Sequence, residues 1–131
     1  MEFALLLPIF LLLVLGVIEF GRALLTYQTM TDASREGART AAVADPTQTP
    51  ASVIARVNTS LAIAGIDTAA ATKQLTIRSQ ATGTDVWPGA RGDTVYMYIE
   101  IPYQFGLLQP FVQLLAGGPF TLKTASKFRN E

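Results

Sequence analysis

The chain has 131 residues, 50% of them hydrophobic, and its ten basic side chains balance ten acidic ones. No basic run offers nucleic acid an electrostatic footprint, and a sequence without His or Cys lacks the commonest general base, the commonest metal ligands and any disulfide framework. A net charge near zero removes long-range repulsion between copies and suits self-association.

The apolar residues are unevenly spread. From Phe3 to Ile18 there is no charge, and only Pro8 and Gly16 interrupt the run. A secretory signal would start basic and end at a small-residue cleavage site. Here Met1-Glu2 opens the sequence, Arg22 is the first basic residue, and no A-x-A-like site follows. A membrane span needs about 20 apolar residues. Counting to Leu25 reaches that length and takes in Glu19 and Arg22, so the expectation is a span with a polar interruption near one end. Those two residues are three apart and share a helix face, which suits an ion pair at the boundary of the apolar zone.

No terminator intervenes before Ala44, so a helix is expected from Phe3 to Ala44, roughly 60 Å long at 1.5 Å per residue. Pro8 lies near its start, where it costs less than in an interior. Beyond Leu25 the pattern becomes amphipathic. Tyr27, Met30, Ala33, Ser34, Gly37, Ala38, Ala41 and Ala42 form one face of small or apolar residues. Asp32, Arg35, Glu36 and Arg39 fall largely opposite, at spacings that suit surface ion pairs rather than a catalytic cluster.

Asp45-Pro46 should end this helix, because the residue before proline disfavours the α region. Thr49-Pro50 reads as an N-cap followed by proline at the first helical position. Val53, Ile54, Val57, Leu61 and Ala62 then mark a second amphipathic helix ending near Gly65. Asn58-Thr59-Ser60 has the form of a glycosylation sequon, but it lies inside that helix.

Period-2 patterns take over after the connector from Asp67 to Thr72. Leu75, Ile77 and Ser79 alternate with Thr76, Arg78 and Gln80. A Gly/Pro-rich loop, Gly83 to Gly92, leads to Val95, Met97, Ile99 and Ile101, with Tyr96, Tyr98 and Glu100 opposite. Gly106 to Gly118 reads as a long connection with an apolar cluster, and Phe120 to Arg129 as a final strand. The expected fold class is α+β: a long apolar-to-amphipathic N-terminal helix, a short second helix, and an antiparallel sheet of three or four strands packed on the C-terminal half of the long helix.

Three stretches together resemble the TadE-like family of the tight-adherence branch of type IV pilus systems. They are Glu2-Phe3-Ala4-Leu5-Leu6-Leu7-Pro8, Gly16-Val17-Ile18-Glu19-Phe20-Gly21-Arg22-Ala23, and Ala33-Ser34-Arg35-Glu36-Gly37-Ala38-Arg39. A Tyr-rich strand ending in Pro102, the Gly117-Gly118 pair and a Thr-rich last strand extend the likeness. The resemblance implies a precursor cut by a prepilin peptidase after a Gly. The product would be drawn from an inner-membrane pool into a cell-surface, extracellular filament.

On that reading residues 1–25 form a transmembrane and filament-core helix, and residues 26–131 a pilin head. The implied partners are copies of itself, other pilins, the prepilin peptidase and assembly machinery, and membrane lipid before assembly. Subunit contacts would be carried by Phe3, Leu5, Leu6, Pro8, Phe10, Leu12, Val14 and Ile18, with Glu19 and Arg22 at the boundary. Glu2 would neutralise a neighbour's α-amino group, because an unpaired carboxylate in an apolar core is costly. Trp87, Tyr96 and Tyr98 are candidates for surface contact, or for packing on a neighbour or on the helix. No nucleophile-base set, phosphate-cradling loop or metal spacing occurs, so neither catalysis nor a cofactor is expected. The alternatives within reach are a minor pilin or membrane-retained assembly factor, and a membrane-anchored binding module that does not polymerise.

Overall fold

The computed structural model describes residues 2–43, 47–106, 108–117 and 120–130, with no side-chain description for Glu2, Ala4, Leu5, Phe111, Leu115 and Ala116. Six elements follow one another: α1 (Glu2–Ala42), α2 (Pro50–Ile63), β1 (Thr72–Arg78), β2 (Thr94–Tyr103), α3 (Gln109–Ala116) and β3 (Phe120–Arg129). The fold is α+β, with a three-stranded antiparallel sheet in the order β1-β2-β3.

The long helix is continuous through both Pro8 and Gly16. Pro8 lacks the N–H that would close one rung of the ladder, but the rungs on either side hold the turn. The Asp45-Pro46 terminator lies outside the described residues; α1 itself ends at Ala42, with a turn bond from Val43 N to the Thr40 carbonyl. Thr49 caps α2 as its sequence suggests. Its hydroxyl accepts from Ser52 N at 3.2 Å, and the Ser52 hydroxyl accepts in return from Thr49 N at 3.1 Å. That reciprocal pair satisfies two of the N–H groups a helix start leaves open.

Three surfaces meet in the core. Met30, Ala33, Ala38 and Ala41 come from α1, Val53, Val57 and Leu61 from α2, and Ile77, Val95, Met97, Ile99 and Ile101 from the sheet. The period-2 reading of β2 holds: Val95, Met97 and Ile99 are completely buried. Gly37 lies where the three layers converge. A Cβ there would stand 2.6 Å from Val57 Cγ2 and 3.3 Å from Met97 Cγ, so only glycine permits this approach. Between α1 and β3 the contacts are hydroxyls instead. Ser34 Oγ lies 2.6 Å from Ser126 Oγ, and Thr31 Oγ1 lies 3.3 Å from Thr124 Oγ1.

Two sequence expectations change. Tyr27 is exposed rather than part of the inner stripe. It stands at the stripe's margin, one turn below the Thr31–Thr124 contact. The connection from Gly106 to Gly118 contains a helix, α3. Its eight residues are too few for a periodic pattern to show, although Pro110 in its first turn and Gly117 as its left-handed cap (φ 67°) are ordinary helix boundaries.

The loop between β1 and β2 is fixed by Asp93. This buried carboxylate accepts from Gln80 N at 2.9 Å and Ala90 N at 2.7 Å. Backbone bonds between Asn130 and both Gly92 and Asp93, and one from Asn130 Nδ2 to the Gly89 carbonyl, tie the loop to the end of β3.

Candidate functional site at the apolar helix and its neck

The first half of α1 projects free of the head. Phe3 (81% exposed), Leu6, Phe10, Leu12, Val14 and Ile18 all lie open, as do Ile9, Leu13, Val17 and Phe20 between them. Phe3, Leu6, Leu7 and Phe10, spaced i, i+3, i+4 and i+7, line one shallow apolar cleft of about 350 Å³. The helix is long and apolar enough to cross a membrane. Exposed apolar surface of this extent marks a lipid-facing or protein-facing contact. The Glu2 and Leu5 side chains, which the sequence places in the same contact, lie outside the described residues.

Glu19 and Arg22 do meet, with Arg22 Nη1 3.6 Å from Glu19 Oε1, but their settings differ. Arg22 is open to the surroundings, whereas Glu19 is only 5% exposed. Glu19 is covered by the chain leaving β2: a Cβ on Gly106 would stand 2.9 Å from its Oε1 and 3.8 Å from Arg22 Nη1. Glu19 Oε2 is buried and has no hydrogen-bond partner among the described residues. A desolvated carboxylate held by one exposed arginine is costly to bury, so this neck favours any further hydrogen-bond donor that reaches it.

Aromatic rings surround the neck. Tyr103 and Phe105 pack edge to face at 5.0 Å, and Phe105 and Phe120 at 5.6 Å. Burial pushes the Tyr103 hydroxyl above its ordinary value, with Glu19 adding to the rise and Arg22 opposing it. Sequence reasoning found the Glu19–Arg22 pair from its spacing. It missed Gly106, Tyr103, Phe105 and Phe120, which reach the neck only through the sheet topology and carry no local signal.

The outer face of the sheet gathers two of the three candidate surface aromatics. Tyr96 and Tyr98 line a groove of about 410 Å³ with Gln74, Thr76, Arg78 and Asp85. Lys127 Nζ lies 5.7 Å from the centre of the Tyr96 ring, and Tyr98 donates to Glu100 Oε2 at 3.4 Å. Lys123 Nζ is 3.1 Å from Glu100 Oε1, and this hydrogen bond holds the ammonium above its usual pKa. Trp87 does not join them: it is half-buried and packs against the core cluster.

Three of the four charged residues on this stretch of α1 form surface pairs. Arg35 lies 3.8 Å from Asp32, and Glu36 lies 3.9 Å from Arg56 on α2. Pairs so exposed contribute little to stability. In the sequon, the Asn58 side-chain oxygen accepts from Lys73 Nζ at 2.6 Å, which fixes the amide against the start of β1.

The model of the TadE-like protein family matches residues 1–39. No curated protein and no solved structure matches the chain. The matched segment is the apolar half of α1, the neck pair and most of the amphipathic half. Over those residues the chain is similar to a family that suggests a pilus-associated protein of the tight-adherence system, and the apolar helix fits a membrane-anchored or pilus location.

Proposed function

We propose, from the TadE-like character of residues 1–39, that this chain is a structural pilin subunit that polymerises through its N-terminal helix into a tight-adherence pilus used for surface attachment. One observation carries the reading: α1 exposes apolar side chains from Phe3 to Leu25 while its other half is committed to the core of the head. Burying a large apolar side chain contributes roughly 1.5–3 kcal/mol. Helices of several copies packed side by side would therefore keep this surface out of water once the chain has left the lipid, and the heads would be carried on the outside. Membrane lipid covers the same surface before assembly. Copies of this chain, other pilins, the prepilin peptidase and the assembly machinery are its partners on this reading, and its role is structural rather than enzymatic.

The test is Leu12→Asp in the full chain, followed by negative-stain microscopy. Leu12 is exposed and touches no core residue, so the head keeps its circular dichroism spectrum while filaments disappear. Normal filaments from this variant overturn the reading. A second reading is a membrane-retained minor pilin or assembly factor, which the same exposed apolar helix also fits. It expects membrane association and no homopolymer from the wild-type chain.

A further inference from the structure

From Phe105 to Phe120 the chain runs FGLLQPFVQLLAGGPF, sixteen residues without a charged side chain. The stretch is a closed excursion, because the Phe105 and Phe120 rings meet at its base and Phe120 begins β3. Its middle is α3, on which Leu114 is 84% exposed. The head elsewhere keeps its large aliphatic side chains inside or at helix ends, so an exposed leucine on an uncharged helix gains nothing in water.

The position of this excursion is fixed by Gly106, which lies over Glu19 and beside Arg22. Those two residues mark the depth at which α1 changes from an open apolar rod to the base of the head. The excursion therefore leaves the head at the same level at which α1 enters its apolar surroundings. Ile18 and Phe20, on either side of Glu19 along α1, are themselves exposed.

The excursion is also built to enter lipid. Backbone N–H and C=O groups must be satisfied internally there, and α3 does this for most of its length. Val112 N bonds to the Leu108 carbonyl, Gly117 N to the Gln113 carbonyl, and Phe105 N to the Gln109 side chain at 2.8 Å. Tyr103 and the two phenylalanines lie at its root, where aromatic rings favour a membrane–water interface. Arg22 stands open beside them, a cation at headgroup level.

We propose that α3, with the aromatic rings at its root, is a second membrane-contact element: α3 lies in the head-side leaflet, next to the point where α1 enters the bilayer. The two contacts fix the tilt of the head over the membrane, which a single helix cannot do. This inference rests on α1 lying in a membrane and is independent of polymerisation.

The chain has no cysteine, so one introduced thiol is unique. Leu114→Cys, Val17→Cys and Thr82→Cys, all at exposed positions, are labelled with an environment-sensitive fluorophore. The full chain is then reconstituted in phosphatidylethanolamine–phosphatidylglycerol vesicles, diluted until vesicles hold single chains. Quenching by nitroxide-bearing lipid is compared with quenching by aqueous iodide. The label at 114 is expected to follow that at 17, with several-fold stronger quenching by lipid than the label at 82 and the reverse order for iodide. If 17 lies in lipid and 114 follows 82, the proposal is overturned while α1 keeps its place. If 114 is shielded only at high protein density, a second copy covers α3 and the proposal also falls. Exposure of 17 to iodide overturns both.

Discussion

The Ser34 and Ser126 hydroxyls meet 2.6 Å apart between α1 and β3, both buried. Ser34 also lies 2.9 Å from the Thr31 carbonyl. Small polar side chains let helix and strand approach more closely than leucines would, at the cost of needing each other as partners. Ser34→Ala leaves the Ser126 hydroxyl buried without its mate, a loss of about 1–3 kcal/mol, whereas Ser126→Ala should cost less because Ser34 keeps the Thr31 carbonyl. The double alanine variant should lose less than the sum, because neither hydroxyl is then stranded. Denaturant unfolding of the four proteins in detergent reads the coupling, and simple additivity would show that the pair does not hold α1 to β3.

Gly21 and Gly37 are on the same helix and respond oppositely to alanine. Both gain about 1 kcal/mol of helix propensity. At Gly21 nothing lies within 4 Å of the new methyl, whereas at Gly37 it meets Val57 and Met97. Overpacking typically costs about 1–3 kcal/mol. Gly37→Ala should therefore melt below Gly21→Ala in thermal scans, and equal melting temperatures would mean that α2 yields freely at Val57.

Lys73 on β1 and Lys123 on β3 should titrate on opposite sides of the ordinary value of 10.5. Lys123 is raised by its hydrogen bond to Glu100, and Lys73 is lowered by burial, with Asp67 opposing. The raised Lys123 gives stabilisation that is complete below 10.5 and lost as pH climbs through its higher folded value. Lys73 has the reverse sign: the fold disfavours its charged form, so its contribution improves as pH rises through its lowered value toward 10.5. Carbon resonances of the lysine ε positions follow both titrations, and Glu100→Gln should return Lys123 toward 10.5 while leaving Lys73 in place. An unmoved Lys123 would remove the Glu100 bond as the cause.

Deleting residues 1–24 should leave a folded head, because the core cluster begins at Met30. The deletion removes Glu19 and Arg22 from beneath Gly106, so the segment from Gln104 to Gly117 should lose protection while the sheet keeps it. Hydrogen exchange on the truncated chain separates the two regions. Loss of protection across β2 would mean that the apolar half of α1 supports the head as well as anchoring it.

The sequence by itself determined what local patterns can encode. The helix start at Thr49-Pro50 was legible because capping needs only neighbouring residues, and β2 was legible because alternation at Val95, Met97, Ile99 and Ile101 repeats over enough positions. The apolar run and the i, i+3 spacing of Glu19 and Arg22 placed the neck in the chain. Tertiary structure decided what those groups face. It buried Glu19 and left Arg22 open, since the covering Gly106 arrives from the far end of β2. It turned Tyr27 outward and drew Trp87 into the core margin away from Tyr96 and Tyr98. Contacts such as these between distant segments are set by how the sheet carries the chain back along the helix, and no local spacing records that return.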